Sequence, residues 1–318
     1  MASPAVAKLP PGFRLSYLPF RAMAETIRFV LAHSGYVQGV DYEDEVVYGP
    51  YFSERRRAKG PGGVYPFDKV PVVSVAGRGG VEEQRLVIAQ SASLARYAGR
   101  LGEKGGRIPA LDSDPAWYAY NDSILELGQE MCTVNPTLNC YTGRDHAQMK
   151  GQYLRRSLVT NMAYLDRQLR EVVAPRRQLF FCSAEQPGVA DFNIFHHIDN
   201  AETLYCLEQD ADEASAGGTW TERRGCLFAF LGDVGAIGNA EEGGEGSGNW
   251  DHLRAWYDRM KRVGGGFGAY LKMRPKVVGV GRDPGLRDRN GRVVRQGVGR
   301  GRLWLKEGLF VEADEGEA

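Results

Sequence analysis

Near the start of the chain Phe13, Leu15 and Tyr17 alternate with Arg14 and Ser16. That period of two marks a half-buried strand. Met23, Ile27, Val30 and Leu31 follow at i, i+4, i+7 and i+8, one face of an amphipathic helix that ends near Gly35. Residues 42–48 suit a second strand. A glycine- and arginine-rich loop leads to two apolar or β-branched runs, 70–75 and 85–89, and the Gly-containing turn between them predicts a hairpin. Residues 91–101 read as a helix closed by Gly102. The order strand, helix, strand, loop, strand, strand, helix implies one crossover followed by a hairpin, hence a mixed sheet covered by helices.

Beyond residue 112 the strand signal fades. Leu158, Met162, Leu165, Leu169 and Val172 recur at helical spacing, as do Trp250, Leu253, Trp256, Tyr257 and Met260. Between these stripes Val189, Phe192, Phe195 and Ile198 mark a more apolar helix, expected to be central. This half reads as an all-helical bundle, and both stripes read as core rather than as a cofactor site.

Composition narrows the classes. The chain has 318 residues with 40 Lys+Arg and 40 Asp+Glu, so no strong field for nucleic acid or anionic lipid is indicated. Two domains are expected at this length. The 41 glycines are roughly twice the ordinary share of about 7%. They concentrate in 60–63, 210–249 and 264–301, which reads as insertions and a tail on a more conventional core. Five cysteines, at 132, 140, 182, 206 and 226, include no C-x-x-C pair and no Cys/His cluster, against a disulfide framework or structural zinc. His196 and His197 are neighbours on a helix and point about 100° apart, so they do not share one ion; no metal is expected. No run of about 18 apolar residues occurs and the first twelve residues hold no apolar signal region. The expectation is a reduced, soluble, cytoplasmic protein with no membrane partner.

The residues at the first strand end carry a resemblance. Tyr17-Leu-Pro-Phe-Arg21-Ala-Met-Ala-Glu25-Thr-Ile-Arg28 resembles the opening of tyrosine-type cytosolic glutathione transferases of sigma, pi and mu type. Lys69-Val70-Pro71, Gln90-Ser91 and Gly188-Val189-Ala190-Asp191-Phe192 follow in the same order, and 250–275 is similar to the family's closing helices. The likeness covers about 230 residues and leaves out the glycine-rich inserts and the last forty or so. It implies a thioredoxin-like glutathione-binding domain over 12–102 with a mixed four-stranded sheet, an all-helical domain over 113–276 with an insert at 210–249, and a charged tail over 277–318 whose composition is compatible with disorder.

The implied chemistry is physical in origin. A free thiol has a pKa near 8.5 and only its thiolate is a good nucleophile. A tyrosine hydroxyl donating to sulfur favours the charged form. On residues alone Tyr17 is a core tyrosine completing the Phe13/Leu15 face; the resemblance makes it that donor. Arg21 is either a solvated arginine or a fixed cation beside the sulfur or the glutamyl end of glutathione. The resemblance implies a cis bond before Pro71, which turns the backbone of Val70 to pair with the cysteinyl backbone. Lys69 departs from the Gln or Asn usual there. Gln90 and Ser91 open a helix, Ser91 as its cap, and would hold the γ-glutamyl carboxylate at the positive helix end. Asp122, with Glu126 a turn later, matches the family's acidic pair and in a dimer would reach the partner's γ-glutamyl amine. Phe67 is a key inserted into a second copy, or a local core aromatic. Gly188 stands where the family's helix-capping motif carries Ser or Thr.

The expected function is therefore that of a dimeric, detoxifying glutathione transferase, with glutathione as co-substrate and an apolar electrophile bound between the domains. Glutathione-dependent isomerisation of a prostaglandin-type peroxide uses the same tyrosine, and a non-catalytic scaffold keeps the fold alone. The basic run from 272 to 306, followed by acidic residues, could bind RNA, pair internally or remain solvated; nucleic acid is not expected as a partner.

Overall fold

The apolar set of the first strand is buried as its alternation predicts, but Ser16 on the opposite face is buried too, so the strand is covered on both faces rather than half-buried. Leu15 is fully buried and Phe13 and Tyr17 nearly so, and the Phe13 ring packs against Tyr42 edge-on and Tyr97 face-on at centroid distances of 6.1 and 6.2 Å. The computed structural model describes residues 7–17, 21–47, 65–77, 85–110, 114–134, 158–214, 250–274, 303–306 and 309–312. In chain order the elements are β1 (Arg14–Tyr17), α1 (Glu25–His33), β2 (Glu43–Val46), β3 (Val72–Val75), β4 (Leu86–Ala89), α2 (Ser91–Lys104), α3 (Pro115–Val134), α4 (Val159–Gln168), α5 (Val189–Ala214), α6 (Asp251–Lys261), α7 (Gly265–Met273), β5 (Leu303–Lys306) and β6 (Leu309–Glu312). They divide into two units, Met1–Ala110 with Gly264–Ala318, and Leu111–Val263.

In the first unit the sheet order is β4-β3-β1-β2-β5-β6. β1 and β2 are parallel and every other neighbouring pair is antiparallel. The four N-terminal strands are thus the mixed sheet expected from the pattern. Two strands from the charged tail extend it as a hairpin on the β2 side. The helix at 265–273, grouped on sequence with the helical half, belongs to this first unit.

α1 is buried over its whole length up to Ala32, not on one face only. The reason is that it touches both α2 and α7. At one end of the α1–α7 crossing Gly266 lies so close to Ala32 that a Cβ would run into the Ala32 carbonyl. At the other, Phe267 and Tyr270 pack edge-on against Phe29 at 5.1 and 5.9 Å. α2 does not stop at Gly102 but continues to Lys104 with Gly105 as its C-cap. Gly102 instead allows close packing: a Cβ there would meet the Ser34 hydroxyl and the Ile108 side chain.

His33 closes α1 and is mostly buried. Burial pulls its imidazole from an ordinary value of 6.5 down to about 4, with Arg107 contributing opposing effects through its backbone and its charge. The unfolded chain takes up a proton as pH falls below about 6.5, while the folded chain holds His33 neutral until about pH 4. The stability His33 contributes is therefore complete above that window and lost as pH falls through it, by about 3 kcal/mol. Thermal melts across the window should show the wild type losing more stability than a His33→Gln variant.

The second unit is helical. α3 packs on α5, where a Cβ on Gly128 would collide with Asn193. α5 is buried on every side from Ala190 to Glu202, which fits the central position expected of it. The α4 stripe holds at Leu158, Met162, Leu165 and Leu169, but then moves from Val172 to Val173. A π-helical turn over Leu169–Val173 inserts the extra residue that shifts the register. On α6 Leu253, Trp256, Tyr257 and Met260 are all buried, as the pattern requires.

Asp191 organises this unit. Gly188 is the residue before α5, and its N–H donates to the Asp191 carboxylate at 3.0 Å, half of a reciprocal cap. Phe181 N–H, Cys182 N–H and the Trp256 indole N–H donate to the same carboxylate at 2.8, 3.3 and 2.9 Å. Burial pushes the carboxyl above its ordinary value even though these donors work the other way. Glycine at the cap removes the other half, a cap hydroxyl accepting from a first-turn N–H, and the half made by Asp191 remains.

No helix among the described residues is long and apolar enough to cross a membrane. Of the insert expected at 210–249, residues 210–214 continue α5 instead, and 215–249 lie outside the described residues.

Candidate functional site

Strand register brings three sequence motifs to one edge. Ser16 pairs with Val72, and Val72 with Ala89. One step further, β1 ends at Tyr17, β3 is entered from Val70 and Pro71, and β4 leaves into Gln90 and Ser91. Adjacent strands lie about 4.8 Å apart, so the three positions span about 10 Å across β1, β3 and β4.

Tyr17 is buried, and its hydroxyl oxygen accepts a hydrogen bond from the Met23 N–H at 3.2 Å. Its carbonyl accepts from Val47 N–H at 2.7 Å, which fixes the strand end against the residue following β2. Arg21 is buried too. It directly precedes the short 3₁₀ turn Ala22–Ala24, whose first residue has φ 26°, and this turn delivers the chain into α1. The solvated alternative for Arg21 is thereby removed.

The Val70–Pro71 bond is cis. Pro71 is buried, Val70 half-buried, and Lys69 exposed on extended backbone with φ −134° and ψ 154°. Beneath them Tyr65 packs with Val47 and Val72, flanked by Val70, Val87 and Ala89. Phe67 sits at φ 62° with 68% of its surface exposed, so within this chain it is not a core aromatic.

Gln90, exposed at φ 74°, occupies the N-cap position of α2, and Ser91 is the first helical residue. Ser91 is therefore not the cap the sequence suggests: the positive-φ backbone at Gln90 takes that place and starts the helix one residue earlier. Ser91 is buried. The first N–H groups of α2, which lack intrahelical acceptors, lie at the same sheet edge as Tyr17 and Pro71. A carboxylate is the natural guest of such a helix end.

Asp122 and Glu126 belong to the second unit, on α3, half-buried and exposed respectively. The preceding residue, Asn121, is buried and donates to the Trp117 carbonyl at 2.9 Å. His196 and His197 are both buried, with ring centroids 4.9 Å apart. Among the described residues no three His, Cys, Asp or Glu side chains are grouped to hold a metal ion. Cys182 is buried, and burial pushes its thiol up.

Sequence reasoning missed what stands behind the Tyr17 edge. Glu25, the first residue of α1, is fully buried. It accepts from Tyr270 at 3.2 Å, Arg28 at 3.4 Å and Arg274 at 3.5 Å. Arg28 in turn grips Asp44 of β2 with two bonds, 2.7 and 3.0 Å. Burial works to lower the Arg28 guanidinium, but Asp44, with Tyr270 and Glu25, outweighs it and holds the group above its ordinary value. The available signal was the i, i+3 spacing of Glu25 and Arg28 inside an otherwise apolar helix.

No protein-family model matches the chain. Over 99 residues it is 29% identical to hematopoietic prostaglandin D synthase of Gallus gallus, a match covering 31% of this chain and 41% of that protein. The chain thus spans less than half the length of the curated relative it matches. Among solved structures, the glutathione S-transferase from Ascaris lumbricoides superposes with a TM-score of 0.54 at 17% identity, over 83% of this chain and 98% of that one. The rat hPGDS complexed with a quinoline gives 0.54 at 18% identity, over 84% and 100%. A sigma class GST of Fasciola hepatica gives 0.52 at 14% identity, over 82% and 95%. The chain has the glutathione-transferase fold, a thioredoxin-like N-terminal part with a helical C-terminal part.

Proposed function

We propose that the protein is a glutathione transferase in which Tyr17 stabilises the glutathione thiolate. The observation that carries this reading is the meeting, at one sheet edge, of a buried tyrosine at the end of β1, the cis Val70–Pro71 entry to β3 and the open N-terminus of α2. The Tyr17 hydroxyl donates to sulfur, with Arg21 as the nearby cation. The backbone of Val70, beside Pro71, pairs with the cysteinyl unit, and Lys69 supplies charge toward the tripeptide's carbonyl or glycyl carboxylate. Gln90 and Ser91 take the γ-glutamyl carboxylate. In this reading the protein is a cytoplasmic, detoxifying homodimer, consistent with the outward Phe67, and Asp122 reaches the γ-glutamyl amine bound to the second copy.

The test is conjugation of glutathione to a chloronitrobenzene. Sulfur attacks the ring carbon bearing chlorine, the C–S bond forms, chloride leaves, and the thiol proton passes to solvent. Tyr17→Phe is expected to lower kcat/KM ten-fold or more, about 1.4 kcal/mol of transition-state stabilisation. A wild type that is inactive, or a variant as active as the wild type, would contradict the mechanism.

A second reading rests on the likeness to prostaglandin D synthase: the same thiolate, returned unchanged, isomerises a prostaglandin-type endoperoxide. Turnover of that substrate without net glutathione consumption would select it. Retention on immobilised glutathione with neither activity would select a non-catalytic binding protein.

A further inference from the structure

We infer that α7 is a remote support for the Tyr17 hydroxyl, with Tyr270 and Arg274 as positioning residues that act through Glu25 and the Met23 N–H. This rests on the transferase reading of Tyr17 and adds to it a part of the chain some 245 positions away.

The chain of contacts is continuous. Met23 lies in the turn Ala22–Ala24, and the N–H of Glu25 donates back to the Ala22 carbonyl, so Met23 and Glu25 are held in one hydrogen-bonded turn. The Met23 N–H donates to the Tyr17 hydroxyl oxygen at 3.2 Å. The Glu25 carboxylate, fully buried, is held by the Tyr270 hydroxyl of α7, by the guanidinium of Arg274, the C-cap of that helix, and by Arg28 from α1. Arg274 also lies over the Phe29 ring, 5.1 Å from its centroid. The close approach of Gly266 to Ala32 fixes the far end of the crossing. α7 thus clamps α1 at both ends, and one end is the turn that carries the Met23 N–H.

The chemical consequence follows from hydrogen-bond polarisation. A donor aimed at a phenol oxygen withdraws electron density from it and makes its own O–H a stronger donor. A stronger O–H donor favours the thiolate that accepts it. Loosening the turn weakens the Met23 bond, and the thiol pKa of bound glutathione then rises without any change in the residues that touch the tripeptide.

The experiment titrates bound glutathione by the ultraviolet absorbance of its thiolate in the full-length protein. The variants are Tyr17→Phe, Tyr270→Phe, Glu25→Gln and Trp256→Phe. Tyr270→Phe removes one hydroxyl and keeps the ring against Phe29. Trp256→Phe removes a buried hydrogen bond of the second unit and controls for general loss of stability, followed by thermal melting. The expected result is an upward midpoint shift of about one unit or more for Tyr17→Phe and about half a unit for Tyr270→Phe and Glu25→Gln, with none for Trp256→Phe. A shift in Tyr17→Phe with none in Tyr270→Phe overturns the α7 inference alone. An equal shift in Trp256→Phe also overturns it, since loosening of any kind would then suffice. No shift in Tyr17→Phe overturns the transferase reading and this inference with it.

Discussion

Replacing Asp191 with alanine is expected to destabilise the second unit by about 4 kcal/mol and to lower its melting temperature by about 10 °C. Four donors converge on that one carboxylate, from Phe181, Cys182, Gly188 and Trp256. Each buried donor left without an acceptor costs about 1–3 kcal/mol. Removing a carboxylate that burial already disfavours, as its raised pKa records, returns part of that loss, so the net lies below the sum. The alanine also leaves the Gly188 cap with no side-chain acceptor at all. Differential scanning calorimetry checks the prediction; a variant melting within about 2 °C of the wild type, under about 1 kcal/mol for a unit of this size, would refute it. Ser at 188 should recover little, because a cap hydroxyl accepts from the backbone N–H two or three residues on and leaves all four of these donors without an acceptor.

Which parts of this were readable in advance depends on where the partners lie. Elements that bury an apolar face against neighbours were visible in spacing: β1 from Phe13, Leu15 and Tyr17, α6 from Leu253, Trp256, Tyr257 and Met260. The π turn at Leu169–Val173 was not, since an inserted residue leaves no compositional mark and only displaces the stripe by one. β2 carries Glu43, Asp44 and Glu45 in succession, a run that reads as surface. Asp44 and Glu45 are nonetheless buried, because Ser16 of β1 donates to Glu45 at 2.7 Å and Arg28 of α1 grips Asp44, while Arg14 pairs with Glu43. Buried charge is invisible to hydropathy when its counter-charge sits on another element.

The Tyr17 edge was legible only as separate motifs. Their convergence depends on register, which needs the strand pairs Ser16–Val72 and Val72–Ala89. The position of Ser91 within the helix, rather than at its cap, depends on a left-handed Gln90 that no propensity would place there, since a non-glycine residue at positive φ is uncommon. The α7 contribution to the first unit could not be read at all, because Tyr270 and Glu25 are joined only by the fold.

In the first unit the largest expected effect comes from Arg28→Met, about 3–5 kcal/mol of destabilisation. The buried cluster holds two cations, Arg28 and Arg274, and two carboxylates, Glu25 and Asp44. Methionine keeps much of the volume of arginine but strands Asp44, whose two oxygens each accept one Arg28 bond, while Glu25 retains Tyr270 and Arg274. An uncompensated carboxylate in that position is far costlier than a lost surface pair. The double variant Arg28→Met with Asp44→Leu removes the stranded charge as well, and Asp44 pairs in register with Leu15 on β1, so an apolar side chain meets apolar neighbours. The double variant should therefore be more stable than Arg28→Met alone, which a double-mutant cycle by chemical denaturation measures as a coupling energy of opposite sign to the single losses. If the double is instead additive, the Arg28–Asp44 pair contributes independently at each end and the burial argument for it fails. Because Glu25 keeps Tyr270 and Arg274 in both variants, the thiol midpoint of bound glutathione should shift less than it does in Tyr270→Phe, separating the charge pair that holds α1 to the sheet from the clamp that holds the turn before it.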